Sequence, residues 1–455
     1  MPTRSVRLQA ARPRGGGAGP RRGPIGRIVA GSVTAGLGTA LLLAVVVAPG
    51  APEHVITGSA LVSFAFGWAL LAGLSARLTS QPQSWALVPA GLMAVVGLGL
   101  LLWAPGDDAL TAAGWVWPPI VAALAVWMTA QMRRALRSPT RVWLLYPVVG
   151  FLGLAAVGGF AESVQLTRDH RSYAMPGRLY DVGGHRLHLH CTGRGSPTVV
   201  LENGLGETSP AWGWVAPAVS GTTRVCAYDR AGQGWSDGAP APQDGRQVAA
   251  DLHALLGAAH ENGPYVLTGH STGGAYLMTY AARYPAEVAG MVLLDSAGPE
   301  QFALPDFPMA YAVLRRLAGV APSLGRLGLG QLAYARFGRS LPAPAGAQAR
   351  AFATSPRDMR SQRDELSTYR AVFTQARALT SLGGKPLVVV TATGGQQQAG
   401  WSAAQDRLAG LSRNSSHRLV AATHGSLLAD QQDAASSTRA ITDVVRAVRT
   451  GAAVR

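Results

Sequence analysis

Charge is scarce in this chain. Asp, Glu, Lys and Arg make up 14% of its 455 residues, while hydrophobic residues make up 48%. A soluble domain usually carries about a quarter charged residues, so the shortfall points to membrane segments rather than disorder. The formal net charge of +16 would suit a nucleic-acid partner, but zinc-ligand spacing, a basic helix with interleaved aromatics and any known reader motif are all missing. No nucleic acid is expected. Acids are absent where the arginines gather. "MPTRSVRLQAARPRGGGAGPRRGPIGR" holds seven Arg and no acid, and "RRALRSPTR" holds four Arg in nine residues. Both flank apolar stretches, where basic residues set membrane topology.

Five apolar runs follow the basic tail (1–27), within 28–160: Ile28–Val47, Val55–Leu74, Trp85–Trp103, Ala112–Met132 and Val142–Phe160. Each matches the length of a bilayer-spanning helix. None contains Asp, Glu, Lys, Arg or His, which favours an anchor over a transport path. The connections alternate. "APGAPEH" lacks Lys and Arg, "SARLTSQPQS" has Arg77, "APGDDALT" is acidic and "QMRRALRSPTR" is strongly basic. Basic segments inside give a cytoplasmic N-terminus and deliver everything after Phe160 outside. The first run reads as an uncleaved anchor, because four more follow it.

A polar stretch, 161–177, reads as a linker. From Arg178 short apolar runs alternate with helical ones. "RLYDV-GG-HRLHLHC" is a hairpin signal. "PTVVLEN", "TRVCAYD", "GPYVLTGH", "EVAGMVLLDS", "KPLVVVTA" and "SHRLVAATH" read as strands, and "VAADLHALLGAAH", "GAYLMTYAARYP" and "STRAITDVVRAVRTG" as helices. The alternation predicts an α/β domain over 178–450 with a mostly parallel sheet. Residues 296–384 interrupt it with helical pieces, an insertion of the size of a lid or binding element.

"GHSTG", Gly269 to Gly273, fits G-x-S-x-G between a predicted strand and a predicted helix, the context that pattern requires. The glycines permit a sharp turn that exposes the Ser271 hydroxyl. The following helix start offers unpaired N–H groups. A serine needs a base. His424 in "ATHGSLL" follows the last predicted strand and comes after Ser271 in chain order. The acid that would orient it has two candidates. The usual slot after "KPLVVVTA" reads "TGGQQQAGW", without an acid. Asp295 ends the preceding strand, and Asp406 sits in a predicted helix. Asp295 is favoured, with Asp406 in reserve. The Thr272 and Leu205 amides, the latter in "GLGE", are the expected oxyanion donors.

"VVLENGLG", "CAYDRAGQGWSD", "GHSTGG", "VLLDS" and "ATH" together resemble the α/β-hydrolase superfamily from about Arg178 to Val448. The resemblance implies a mostly parallel hydrolase sheet, a helical cap at 296–384 and a structural, salt-bridging role for Asp229 and Arg230. Two features depart from the family. Asn203 stands where its oxyanion loop commonly has His, and the acid after the penultimate strand is missing. Cys191 and Cys226 fall near the ends of strands that are neighbours in the family's sheet. A disulfide, adding roughly 3 kcal/mol in the chain-entropy model, and two buried thiols both remain open.

The expected protein is thus an all-α region of five transmembrane helices joined to an extracytoplasmic serine hydrolase. It would act on a small or lipid-like ester through an acyl-enzyme, with no metal or organic cofactor. Amide cleavage and acyl transfer use the same residues. A non-catalytic binding module is the competing reading.

Overall fold

The computed structural model describes residues 25–135, 145–395 and 398–454. The basic tail up to residue 24 and the basic stretch 136–144 lie outside these residues. The membrane region holds α1 (Ile25–Leu41), whose end widens into a π-helix at Leu42–Val47, and α2 (Glu53–Leu78). It continues with α3 (Leu87–Trp103), α4 (Asp107–Ala113), α5 (Trp117–Ala135) and α6 (Tyr146–Ser172). Four helical segments are long and apolar enough to cross a membrane, and the α4–α5 pair, bent by 44°, makes a fifth if counted as one span. Small residues let α1, α2 and α3 approach closely. A Cβ on Gly67 would stand 2.8 Å from the Ser32 carbonyl oxygen, and one on Gly97 2.8 Å from that of Gly58.

Two expectations need correction. Ala112–Met132 is not one straight helix. It breaks after Ala113, and Pro118 and Pro119 fall in the first turn of α5, where a missing N–H costs nothing. The stretch 161–177 is not a linker throughout, because α6 runs on to Ser172. Glu162 and Ser163, at the start of the stretch, face protein. Ser163 Oγ donates to the Gly114 carbonyl at 2.9 Å, and buried Glu162 accepts from Gln331 at 3.4 Å.

The sheet comprises β1 (Arg178–Asp181), β2 (Arg186–Thr192), β3 (Val199–Glu202), β4 (Val225–Tyr228), β5 (Tyr265–His270), β6 (Val288–Leu294), β7 (Leu387–Ala392) and β8 (Ser415–Val420). Their order is β1-β2-β4-β3-β5-β6-β7-β8. The β1–β2 and β2–β4 pairs are antiparallel and the rest parallel. Strands β3 to β7 are buried on both faces apart from one residue of β6, as their unbroken apolar runs require. Helices α7 (Val215–Ser220), α8 (Gly245–Ala258) and α9 (Gly273–Arg283) precede β6. Between β6 and β7 the insertion supplies α10 (Phe307–Gly325), α11 (Leu329–Ala333), α12 (Ala345–Thr354) and α13 (Pro356–Ala376). Then come α14 (Trp401–Ala409), α15 (Ser426–Ala429) and α16 (Gln431–Thr450). Val248 and Leu252 of α8 and Leu277 of α9 pack with one face of the sheet. Val219 of α7 and Ile441 and Val444 of α16 pack with the other.

The insertion is bound to the membrane helices. Arg326 contacts Glu53 at 2.5 Å and Asp107 at 2.8 Å, and Arg360 contacts Glu53 at 2.7 Å. Thr57 and Ser323 share a hydrogen bond of 2.7 Å, and Arg316 donates to the Val45 carbonyl at 3.1 Å. The end of α1, the start of α2 and the start of α4 therefore face the sheet domain, whereas Arg77 and Arg133 lie at the opposite ends of their helices.

Candidate active site

Strand β5 delivers its last residue, His270, to a turn that α9 leaves at Gly273. Ser271 stands in that turn with φ +54°, a left-handed conformation that side chains rarely adopt and that costs energy. The glycines explain how it is tolerated. A Cβ on Gly269 would lie 2.7 Å from the Gly274 nitrogen, and one on Gly273 2.6 Å from the Glu202 carbonyl oxygen. Ser271 is partly exposed.

Asp295, just past β6, also has positive φ, +43°. Its Oδ2 lies 2.6 Å from His424 Nδ1, while its Oδ1 accepts from Trp401 Nε1 at 2.8 Å and from the Ala392 amide at 3.3 Å. Asp295 is buried, and His424 is half exposed. The acid-free slot after β7 thus contributes a tryptophan, which holds a carboxylate supplied by β6. Asp406 lies elsewhere, paired with His417 Nδ1 at 2.8 Å. Among the described residues Ser271 Oγ and His424 Nε2 have no hydrogen-bond partner. Such contacts are often long in free enzymes and tighten on substrate.

The loop after β3 is braced on all sides. Asn203, at the family's histidine position, accepts from Trp212 Nε1 and donates to the Tyr228 carbonyl, both at 2.8 Å. Arg230 donates to the carbonyls of Asn203 and Gly204 at 2.6 and 2.8 Å and pairs with Glu202 and Glu365 at 2.5 and 2.6 Å. Asp229 accepts from the Ser209 amide at 2.6 Å and contacts His188 Nδ1 at 2.9 Å. His188, on β2, is fully buried. The Leu205 and Thr272 amides are left without protein acceptors among the described residues, as an oxyanion site requires.

A further pair escaped the sequence reading. Glu207 Oε2 accepts from the Gly204 amide at 2.7 Å and from His270 Nδ1 at 3.0 Å. His270 Nε2 donates to the His424 carbonyl at 3.0 Å, and the two rings lie 4.6 Å apart. Burial opposes both charges, but mutual attraction prevails. Glu207 is held below the ordinary carboxylate value and His270 above the ordinary imidazole value. The pair ties the oxyanion loop, the serine turn and the His424 loop together.

A cleft of about 1550 Å³ separates the membrane helices from the sheet domain, with Glu53, Asp107 and Trp115 on one wall and Arg230, Tyr276 and Glu365 on the other. Neither Ser271 nor His424 lines it. Cys191 and Cys226 stand opposite each other on β2 and β4 and form a disulfide.

Residues 197–382 match the family model described as alpha/beta hydrolase fold. With the strand order and the serine turn, this match establishes an α/β-hydrolase fold behind a helical region of four to five apolar candidate spans. Over 151 residues the chain is 35% identical to an uncharacterized protein of Schizosaccharomyces pombe, covering 27% of this chain and 28% of that protein. Over 124 residues it is 35% identical to the 2-hydroxymuconate semialdehyde hydrolase of Pseudomonas sp. (strain CF600), covering 27% of this chain and 44% of the enzyme. The chain thus spans less than half the length of either curated relative. Among solved structures it is similar to the enol-lactonase of Burkholderia xenovorans LB400, with 21% identity and a TM-score of 0.47 over 59% of this chain and 100% of that one.

Proposed function

We propose that the chain is a membrane-embedded serine hydrolase that cleaves an ester or related acyl bond on the side of the membrane opposite its basic connections. The observation that carries this reading is Ser271 in a left-handed turn, with buried Asp295 paired to half-exposed His424. His424 Nε2 takes the Ser271 proton as Oγ attacks the acyl carbon. The Leu205 and Thr272 amides receive the developing oxyanion. His424 returns the proton to the leaving alcohol, leaving an acyl-enzyme that water, deprotonated by His424, then hydrolyses. Asp295 keeps the proton-bearing Nδ1 toward itself and stabilises the imidazolium. The hydrolase relative supports the reaction class.

The ends of the spans support this orientation. The sheet domain docks where Glu53 and Asp107 lie, away from Arg77 and Arg133, and basic residues favour the cytoplasm. The disulfide suits an oxidising exterior.

Turnover of a short p-nitrophenyl ester by the full chain in detergent tests the chemistry. Ser271→Ala should abolish turnover above background, and Asp295→Asn should lower kcat by about 10³–10⁴-fold with little change in KM. Wild-type kcat in Asp295→Asn would remove Asp295 from the mechanism. Undiminished turnover in Ser271→Ala would remove the serine reading.

A further inference from the structure

Helix α10 leaves one face uncovered. Met309, Val313, Leu317 and Leu324 fall within an arc of roughly 80° at 3.6 residues per turn. Met309 is 77% exposed and Leu317 60%. The opposite face, with Tyr311, Ala318 and Pro322, is buried. The flank between them holds Arg316, Gly319 and Ser323, and it is this flank that meets the membrane helices. Arg316 reaches the Val45 carbonyl, Ser323 bonds to Thr57, and a Cβ on Gly319 would lie 2.8 Å from the Gly50 Cα. The bare stripe therefore borders exposed Val46 and Val47 at the end of the first span.

The next segment repeats the arrangement. A Cβ on Gly158 of α6 would lie 2.1 Å from the Leu327 carbonyl oxygen, next to exposed Leu154 and Val157. Leu329, Leu332 and Phe337 follow, exposed, and Leu332 is 76% open. From Phe307 to Leu341 the chain has five arginines, Arg315, Arg316, Arg326, Arg336 and Arg339, and no acid.

We infer that α10 and the segment through Phe337 are seated in the leaflet on the hydrolase side of the bilayer. Apolar side chains enter the acyl boundary, and exposed Arg336 and Arg339 meet anionic headgroups. Two features name this occupant: each bare stripe continues the apolar outer surface of a span, and its charged neighbours, Asp306 at the start of α10 excepted, are basic. Interfacial helices bind by that combination of buried apolar area and attraction to anionic lipid. The inference rests on the N-terminal helices being bilayer spans, and not on catalysis by Ser271.

The test uses the full chain, with its disulfide intact, in vesicles of phosphatidylcholine and phosphatidylglycerol. Leu317→Cys, Leu332→Cys and, at an exposed position of α16, Arg439→Cys would each carry an environment-sensitive fluorophore. At Leu317 and Leu332 we expect blue-shifted emission, quenched by doxyl-labelled lipid and at least fivefold less by iodide than the Arg439 probe. Iodide quenching equal to that at Arg439 would overturn the inference. So would shielding from both quenchers, which would mean a second copy or another segment of the chain covers the face. Ester turnover of the same samples, read separately, tests the hydrolase reading, and neither outcome there bears on this inference.

Discussion

Ser271 and Asp295 are two of only four described non-glycine residues with positive φ, and each ends a strand on a loop where strain serves geometry. Around them the Glu207–His270 pair gives the site a pH signature. His270 has a folded pKa above its ordinary 6.5, so its share of stability is complete below that value and is lost as pH rises through the raised one. Glu207 has a folded pKa below its ordinary 4.5, so its share is present above that value and is lost as pH falls through the lowered one. Glu207→Gln should therefore cost most stability between about pH 4.5 and 6.5. Thermal unfolding of both proteins across pH 4 to 9 should show the gap narrowing at the alkaline end. A constant gap would show that the pair is not ionised. That Ser271, Asp295 and His424 follow the ends of strands was legible in the sequence. Glu207, His270 and Trp401 were not, because their roles come from partners 63, 154 and 106 residues away in the chain, and nothing periodic marks such contacts.

At the scale of elements, strands were the most readable, since continuous β-branched runs bounded by turns leave few alternatives. The length of α6 was not, because Glu162 and Ser163, where its polar stretch begins, are held by Gln331 and Gly114. The docking of the insertion on the spans was invisible for the same reason. Glu53 heads α2, yet it is 3% exposed because Arg326 and Arg360 of the insertion enclose it. Glu53→Gln would leave Arg326 with Asp107 as its remaining ion partner. Breaking a buried pair typically costs about 3–5 kcal/mol, enough to loosen α10 from α2. Limited proteolysis of the variant in membranes should cut between Phe307 and Arg360 at least tenfold faster than in wild type. An unchanged rate would show that the apolar and backbone contacts alone hold the insertion.

For the whole molecule, the orientation proposed above rests on two kinds of observation. The basic residues Arg77 and Arg133 favour a cytoplasmic side, and the hydrolase domain, with its disulfide, docks through the insertion at the helix ends that carry Glu53 and Asp107. The central claim is an activated Ser271 outside the cytoplasm. A membrane-impermeant fluorophosphonate applied to intact cells tests it most directly. Wild type should be labelled and Ser271→Ala should not. Labelling only after lysis would contradict the orientation, and no wild-type labelling even then would contradict the enzyme.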